Sequence, residues 1–323
     1  MKKVKHWLIL LYAVLFTMDG LAKIIQQETP INPKQIKKIH LIFKTHLDIG
    51  FTNSGDSVIK TYMNNFIPNT LNLTESLRQS KTNERYRWTT GSWLISEFLN
   101  SQDSGMKKRM ENAIKNGDIT WHALPFSTQT ELSDSSLYDL GIQISKNLDK
   151  RFGKKTISAK MTDVPGHTRS LIPILAKNGI RFLHIGVNPA STAPDIPALF
   201  KWCAPDGSSI IVMYQQEYGD QFVLPGTDVM VDIRFTNDNL GPHSRQQVND
   251  IYKELHKKYP NAEIVASTLD DVANEVLKIE NLLPVITKEL GDTWIHGVGS
   301  DPVLMAEFRE TRLDKSRQID FWK

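Results

Sequence analysis

The sequence predicts an α/β chain built on parallel strands, either as an open sheet or as a barrel. Three observations carry this. Helical stretches with apolar residues at three- and four-residue spacing alternate with short runs of branched and aromatic residues. Glycine closes successive helical stretches at Gly117, Gly153 and Gly179, where a left-handed cap turns the chain into the next strand. No internal repeat, low-complexity tract or Pro/Gly/Ser linker divides the chain beyond its first segment, so one domain is expected.

The first segment has its own pattern. Lys2, Lys3 and Lys5 precede the apolar run Trp7 to Phe16, and Gly20-Leu21-Ala22 supplies small residues for cleavage. Residues 1–22 are therefore expected to be a secretion signal, the apolar run being too short to span a bilayer. The mature protein is expected to be periplasmic or secreted, without stable membrane insertion. Cys203 is the one cysteine, which excludes an internal disulfide, and it is expected in the core.

In chain order, Ile36 to Phe43 reads as a strand and Ser57 to Leu77 as helix, with a kink expected at Pro68. Helix Met106 to Asn116 feeds a strand at Ile119 to Ala123, and helix Ser135 to Phe152 feeds one at Ile157 to Met161. Helix Thr168 to Asn178 feeds Ile180 to Ile185. Strands at Ile210 to Tyr214, Glu263 to Ala266 and Pro284 to Thr287 follow, with helices at Arg245 to Lys258 and Leu269 to Ile279. Asn188 to Pro197 and Gln216 to Gly226 read as long loops.

The 323 residues are 40% hydrophobic and 23% charged, with a net charge of +3. Basic residues are scattered, and runs such as Lys107-Lys108-Arg109 suit solvated helix ends, so nucleic acid is excluded as a partner. No oligomeric state is implied.

In parallel α/β folds, polar residues at strand ends are where chemistry gathers. His46 and Asp48 end the first strand two residues apart, a spacing that lets both meet one ion; capping of neighbouring backbone groups is the plainer alternative. Asp163 ends another strand, in Met161-Thr162-Asp163-Val164-Pro165-Gly166-His167, where it could equally cap the turn, while His167 reads as a packing residue. Asp238 lies in the loop Thr236-Asn237-Asp238-Asn239-Leu240-Gly241-Pro242, whose composition is also that of an ordinary turn.

Taken together, His46-Leu47-Asp48 with Gly50-Phe51, and Asp163 in Asp-Val-Pro-Gly-His 115 residues beyond Asp48, resemble family 38 glycoside hydrolases, the α-mannosidases, in a bacterial branch. Trp88 to Trp93, Trp121 to Glu131, and Glu289 to Trp294 sit where that family has further strand-end segments. The resemblance implies a distorted (β/α) barrel of seven or eight strands over residues 36–310. It implies Zn²⁺ bound by His46, Asp48 and Asp163, with Asp163 also the nucleophile of a retaining mechanism on an oligosaccharide or glycan. For the acid/base it points to Asp238, with Glu217 and Glu131 as alternatives. Trp93, Trp121, His122, Tyr214 and Trp294 are expected to line the sugar site, core packing being the alternative for each aromatic ring. His184 reads as structural.

The family's fourth zinc ligand is a histidine from beyond the barrel. No such region precedes Lys323, so residues 311–323 are expected to begin a truncated C-terminal part, with His296 as an alternative fourth ligand. Two other classes compete: a sugar-binding barrel without turnover, and a metal-dependent polysaccharide deacetylase. The latter would use a His-x-x-x-His pair, which the sequence lacks.

Overall fold

The computed structural model describes residues 32–130, 133–164, 166–291, 303–304 and 306–311. The expected signal segment, Glu131, Trp294 and His296 lie outside them.

Strand β1 (Lys38–Lys44) is the centre of the first sheet, and its near-continuous burial suits a strand covered on both faces. The chain then runs through α1 (Gly55–Thr61), a π turn at Tyr62–Phe66, and α2 (Ile67–Gln79). The distortion expected at Pro68 thus falls just before it. Pro68 lies inside an unbroken helical run from Gly55 to Gln79, and the widened π turn directly before it accommodates the ring and the missing N–H.

Strand β2 (Trp88–Gly91) runs directly into α3 (Ser92–Ser101), followed by α4 (Ser104–Lys115), β3 (Ile119–His122) and α5 (Ser135–Phe152). Asp103 and Asp134 accept backbone N–H groups at the starts of α4 and α5. The second half comprises β4 (Ser158–Thr162), β5 (Gly166–His167), α6 (Leu171–Lys177), β6 (Phe182–Val187), β7 (Leu199–Cys203), β8 (Ser209–Gln216), β9 (Gln221–Val223) and β10 (Val229–Arg234). Helix α7 (Arg245–Lys258), β11 (Glu263–Ala266), α8 (Leu269–Leu277), β12 (Val285–Ile286) and β13 (Leu290–Gly291) complete it. Capping boxes at Ser244/Gln247 and Thr268/Asp271 start α7 and α8. Gly117, Gly153 and Gly179 all take positive φ, as expected.

Among the described residues the strands form a six-stranded sheet around β1, a five-stranded sheet in the order β12-β7-β8-β6-β4, and the pair β13-β5. The Ala123 N–H donates to Ser158 O over 2.9 Å, joining the ends of β3 and β4 across the two large sheets. Both large sheets are mainly parallel, but β7 runs antiparallel to β8, and β9 to β10. That corrects the all-parallel expectation: Pro205-Asp206-Gly207 and Pro225-Gly226 each turn the chain back on itself, so the fold is mixed α/β.

One apolar cluster packs β1–β3 against α1–α4 and α7, and a second packs β4, β6 and β8 against α5 and α6. A third joins Ile42, Val231 and Ile233 of the first sheet to Phe182, Ile211 and Met213 of the second, under α8. Cys203 is half-buried rather than a core residue, because it ends β7 at the hairpin.

Candidate functional site

Continuing past β1, the period of two puts Lys44, His46 and Asp48 on one side of the chain. His46 is buried and Asp48 half-buried. Asp163 follows β4 directly and meets them: His46 Nε2 lies 3.1 Å from Asp48 Oδ1 and 3.5 Å from Asp163 Oδ2. One ligand atom from each of the three lies within 4.8 Å of the others.

Asp163 is held by both ends. Its backbone adopts a left-handed φ of 62°, with its N–H donating to Gly186 O over 3.0 Å. Its Oδ1 accepts from the Tyr218 hydroxyl at 2.6 Å and from Asn188 Nδ2 at 3.1 Å. Oδ2 is left facing His46. Burial opposes ionisation of Asp163, but the His46 ring and the hydrogen bonds from Tyr218 and Asn188 outweigh it and hold the carboxyl below the usual range. The neighbouring Asp48 goes the other way: burial, against the pull of His46 and aided by the like charges of Asp238 and Asp163, pushes it up.

These residues fit a divalent metal. The buried His46 Nε2 makes no hydrogen bond, although it faces both carboxylates. A cation between them would satisfy that nitrogen and relieve the crowding of like charges. One imidazole nitrogen and two carboxylate oxygens form a donor set suited to zinc.

Asp238 is brought alongside. After β1 and β10 separate, the chains pair again at a bridge between His46 and Asp238, and Asn239 N–H donates to His46 O over 3.1 Å. The non-glycine residues with positive φ among those described are Asp163, Glu217, Asn237 and Asn239, all in loops that follow strands of this end of the fold. Such conformations cost about 1–3 kcal/mol each and concentrate where geometry is imposed by the surroundings.

Beneath the site is a buried basic layer. Lys160 Nζ lies 2.6 Å from His184 Nδ1, and His184 Nε2 lies 2.7 Å from Gln215 Oε1. The amide oxygen can only accept, so His184 carries its proton on Nε2 and accepts at Nδ1, a structural role as expected. Lys44 Nζ donates to Thr162 Oγ1 at 3.4 Å and sits over the rings of Tyr218 and Phe235, and burial lowers its amine to about 7. Burial, with Lys160 and Lys44 nearby, lowers His122 to about 3, and its Nδ1 has no hydrogen-bond partner among the described residues.

The aromatic candidates divide. Trp93 is half-buried, edge-on to the exposed Phe126 at 6.2 Å. Trp121 is a core residue: it is buried against Phe152, its indole donates to Asp149 over 3.0 Å, and Lys154 covers its ring. That is the packing alternative named for it. Tyr214 is buried in the second cluster. Glu217 is exposed and pairs with Val187. Tyr218, Asn188, Lys44 and Asn239 were missed, although Asn188 and Tyr218 follow β6 and β8 just as Asp163 follows β4.

A mixed α/β fold whose strand-end loops converge on a His-Asp-Asp cluster defines a protein with a metal-competent centre at one end of its sheets. The chain belongs to glycosyl hydrolase family 38, matching the model "Glycosyl hydrolases family 38 N-terminal domain" over residues 37–287. In fold it is similar to an α-mannosidase from Enterococcus faecalis, with a TM-score of 0.62 at 14% identity, covering 79% of this chain and 31% of that one. A second Enterococcus faecalis protein of glycosyl hydrolase family 38 has a TM-score of 0.54 at 11% identity, covering 78% of this chain and 28% of that one. The 4-α-glucanotransferase of Thermococcus litoralis has a TM-score of 0.52 at 12% identity, over 88% of this chain and 46% of that one. The chain thus spans under a third of the two family 38 structures. No curated protein matches it.

Proposed function

We propose that this chain is the catalytic part of an exported, zinc-dependent retaining glycosidase acting on α-mannosides. The observation that carries the reading is the buried, unpaired His46 Nε2 facing two carboxylates, one of which, Asp163, has its other oxygen fixed by Tyr218 and Asn188. The Lys-rich start, apolar run and small-residue end of residues 1–22 support export. The α-mannosidase of like fold supports the substrate class.

His46, Asp48 and Asp163 would hold the zinc, which when bound supplies Lewis-acid positions that orient two neighbouring sugar hydroxyls. Asp163, kept ionised by its hydrogen bonds, attacks the anomeric carbon and forms a glycosyl ester as the glycosidic bond breaks. Asp238, whose backbone pairs with His46, gives a proton to the leaving oxygen. It then takes one from the water that opens the ester, and the product keeps its configuration.

The test is hydrolysis of an aryl α-mannoside by the full chain, with the anomer followed by NMR. The α-anomer should appear first, and Asp163→Asn should abolish turnover while sugar binding remains measurable. Release of acetate from an acetylated glycan, with no mannoside hydrolysis, would make it a deacetylase. Binding without turnover in the parent chain would make it a sugar-binding barrel.

A further inference from the structure

We infer that Asn239 is a positioning residue that locks the loop carrying His46 and Asp48 to the loop carrying Asp238, so that metal affinity depends on its side chain. This rests on the zinc-site reading above. Asn239 Oδ1 accepts from the Asp48 N–H at 2.9 Å, and its Nδ2 donates to Asp48 O at 3.0 Å and to Thr52 Oγ1 at 2.7 Å. One side-chain amide thereby pins both backbone polar groups of Asp48, which fixes the direction in which its carboxylate leaves the chain. Among the described residues, no other hydrogen bond ties residues 48–52 to another part of the fold.

An asparagine merely supporting its own turn would bond to backbone about two residues on. Here every side-chain bond crosses to a loop 191 residues away at Asp48.

The backbone serves the same end. Strands β1 and β10 pair in register up to Phe43 with Arg234, and pairing resumes at His46 with Asp238. That is three steps along one chain and four along the other, so an extra residue has been taken up, as in a bulge that re-aims a side chain. Left-handed φ values at Asn237, Asn239 and Gly241 take up the slack on either side of Asp238. Asparagine and glycine are the residues that adopt that conformation most cheaply. Only asparagine also offers both an acceptor and two donors.

The test measures zinc affinity of the full chain by competition with a chromogenic chelator, beside the melting temperature of the metal-free protein. Asn239→Gly keeps the left-handed backbone and removes the amide. It should weaken zinc binding by about 10-fold or more, as loss of a ligand-orienting hydrogen bond does, with the metal-free melting temperature nearly unchanged. Thr52→Val, which removes one of the three bonds, should weaken it less. Parent-like affinity in Asn239→Gly overturns the inference and leaves the zinc site standing. Weakened affinity with a collapsed metal-free melting temperature and a normal Thr52→Val also overturns it, making Asn239 a general fold residue. A parent chain that binds no zinc overturns both.

Discussion

The Tyr218 hydroxyl donates a 2.6 Å hydrogen bond to Asp163 Oδ1, and the Tyr218 ring lies against His46 with centroids 4.7 Å apart. A single side chain therefore orients the proposed nucleophile and packs on a proposed metal ligand. Tyr218→Phe keeps the packing and removes the hydrogen bond. A bond to a charged group contributes roughly 1.5–3 kcal/mol, so kcat should fall about 10- to 100-fold. The bond favours the ionised form of Asp163, so its loss raises that pKa, and the acid limb of the kcat/KM profile should move to higher pH. Zinc content should not change.

Gly186 lets the chain of Glu217 and Tyr218 pass close by. A Cβ there would lie 2.9 Å from Glu217 O and 3.0 Å from Tyr218 Cα, both of them backbone atoms. Gly186→Ala should therefore displace Tyr218 from Asp163. The variant is expected to reproduce the kinetic loss of Tyr218→Phe and, by overpacking, to lose about 1–3 kcal/mol in urea unfolding.

His243 is buried beside Tyr86 and Phe43, and burial, helped by Arg234, lowers its imidazole to about 4. Between the unfolded pKa of about 6.5 and that value, the unfolded chain holds a proton that the folded chain does not. Stability at this group is therefore complete above about pH 6.5 and falls as the pH drops toward about 4. His243→Phe should remove about 1.4 kcal/mol per pH unit from the slope of unfolding free energy across that window. Urea titrations at a series of pH values read that slope directly.

Much of the fold was legible because helix ends and strand starts are local events. The limits of α5 and α7 are those read from the sequence, since Asp134 with Gly153, and Ser244 with its Gln247 partner, mark the ends chemically. The strands β2, β5, β7, β9, β10 and β13 were not read. The four residues of β2 run straight into a helix, and β7 and β9 are short partners whose pairing depends on chain far away in sequence. In the site, His46, Asp48 and Asp163 were readable because each ends a strand, and the structure brings them together. Tyr218 and Asn188 occupy equivalent strand ends, but nothing local says that they reach Asp163, and the acid Glu217 beside Tyr218 carries the more obvious catalytic chemistry. For Trp121 the sequence left sugar contact and packing open, because a strand-end tryptophan looks alike in both cases; its neighbours are Phe152 and Asp149.

The most direct test is the zinc content of the purified full chain after dialysis against a weak chelator, measured by elemental analysis beside Asp48→Ala. Close to one zinc per parent chain is expected, with its loss in the variant. A parent chain without zinc, or a variant that keeps it, would contradict the proposed centre.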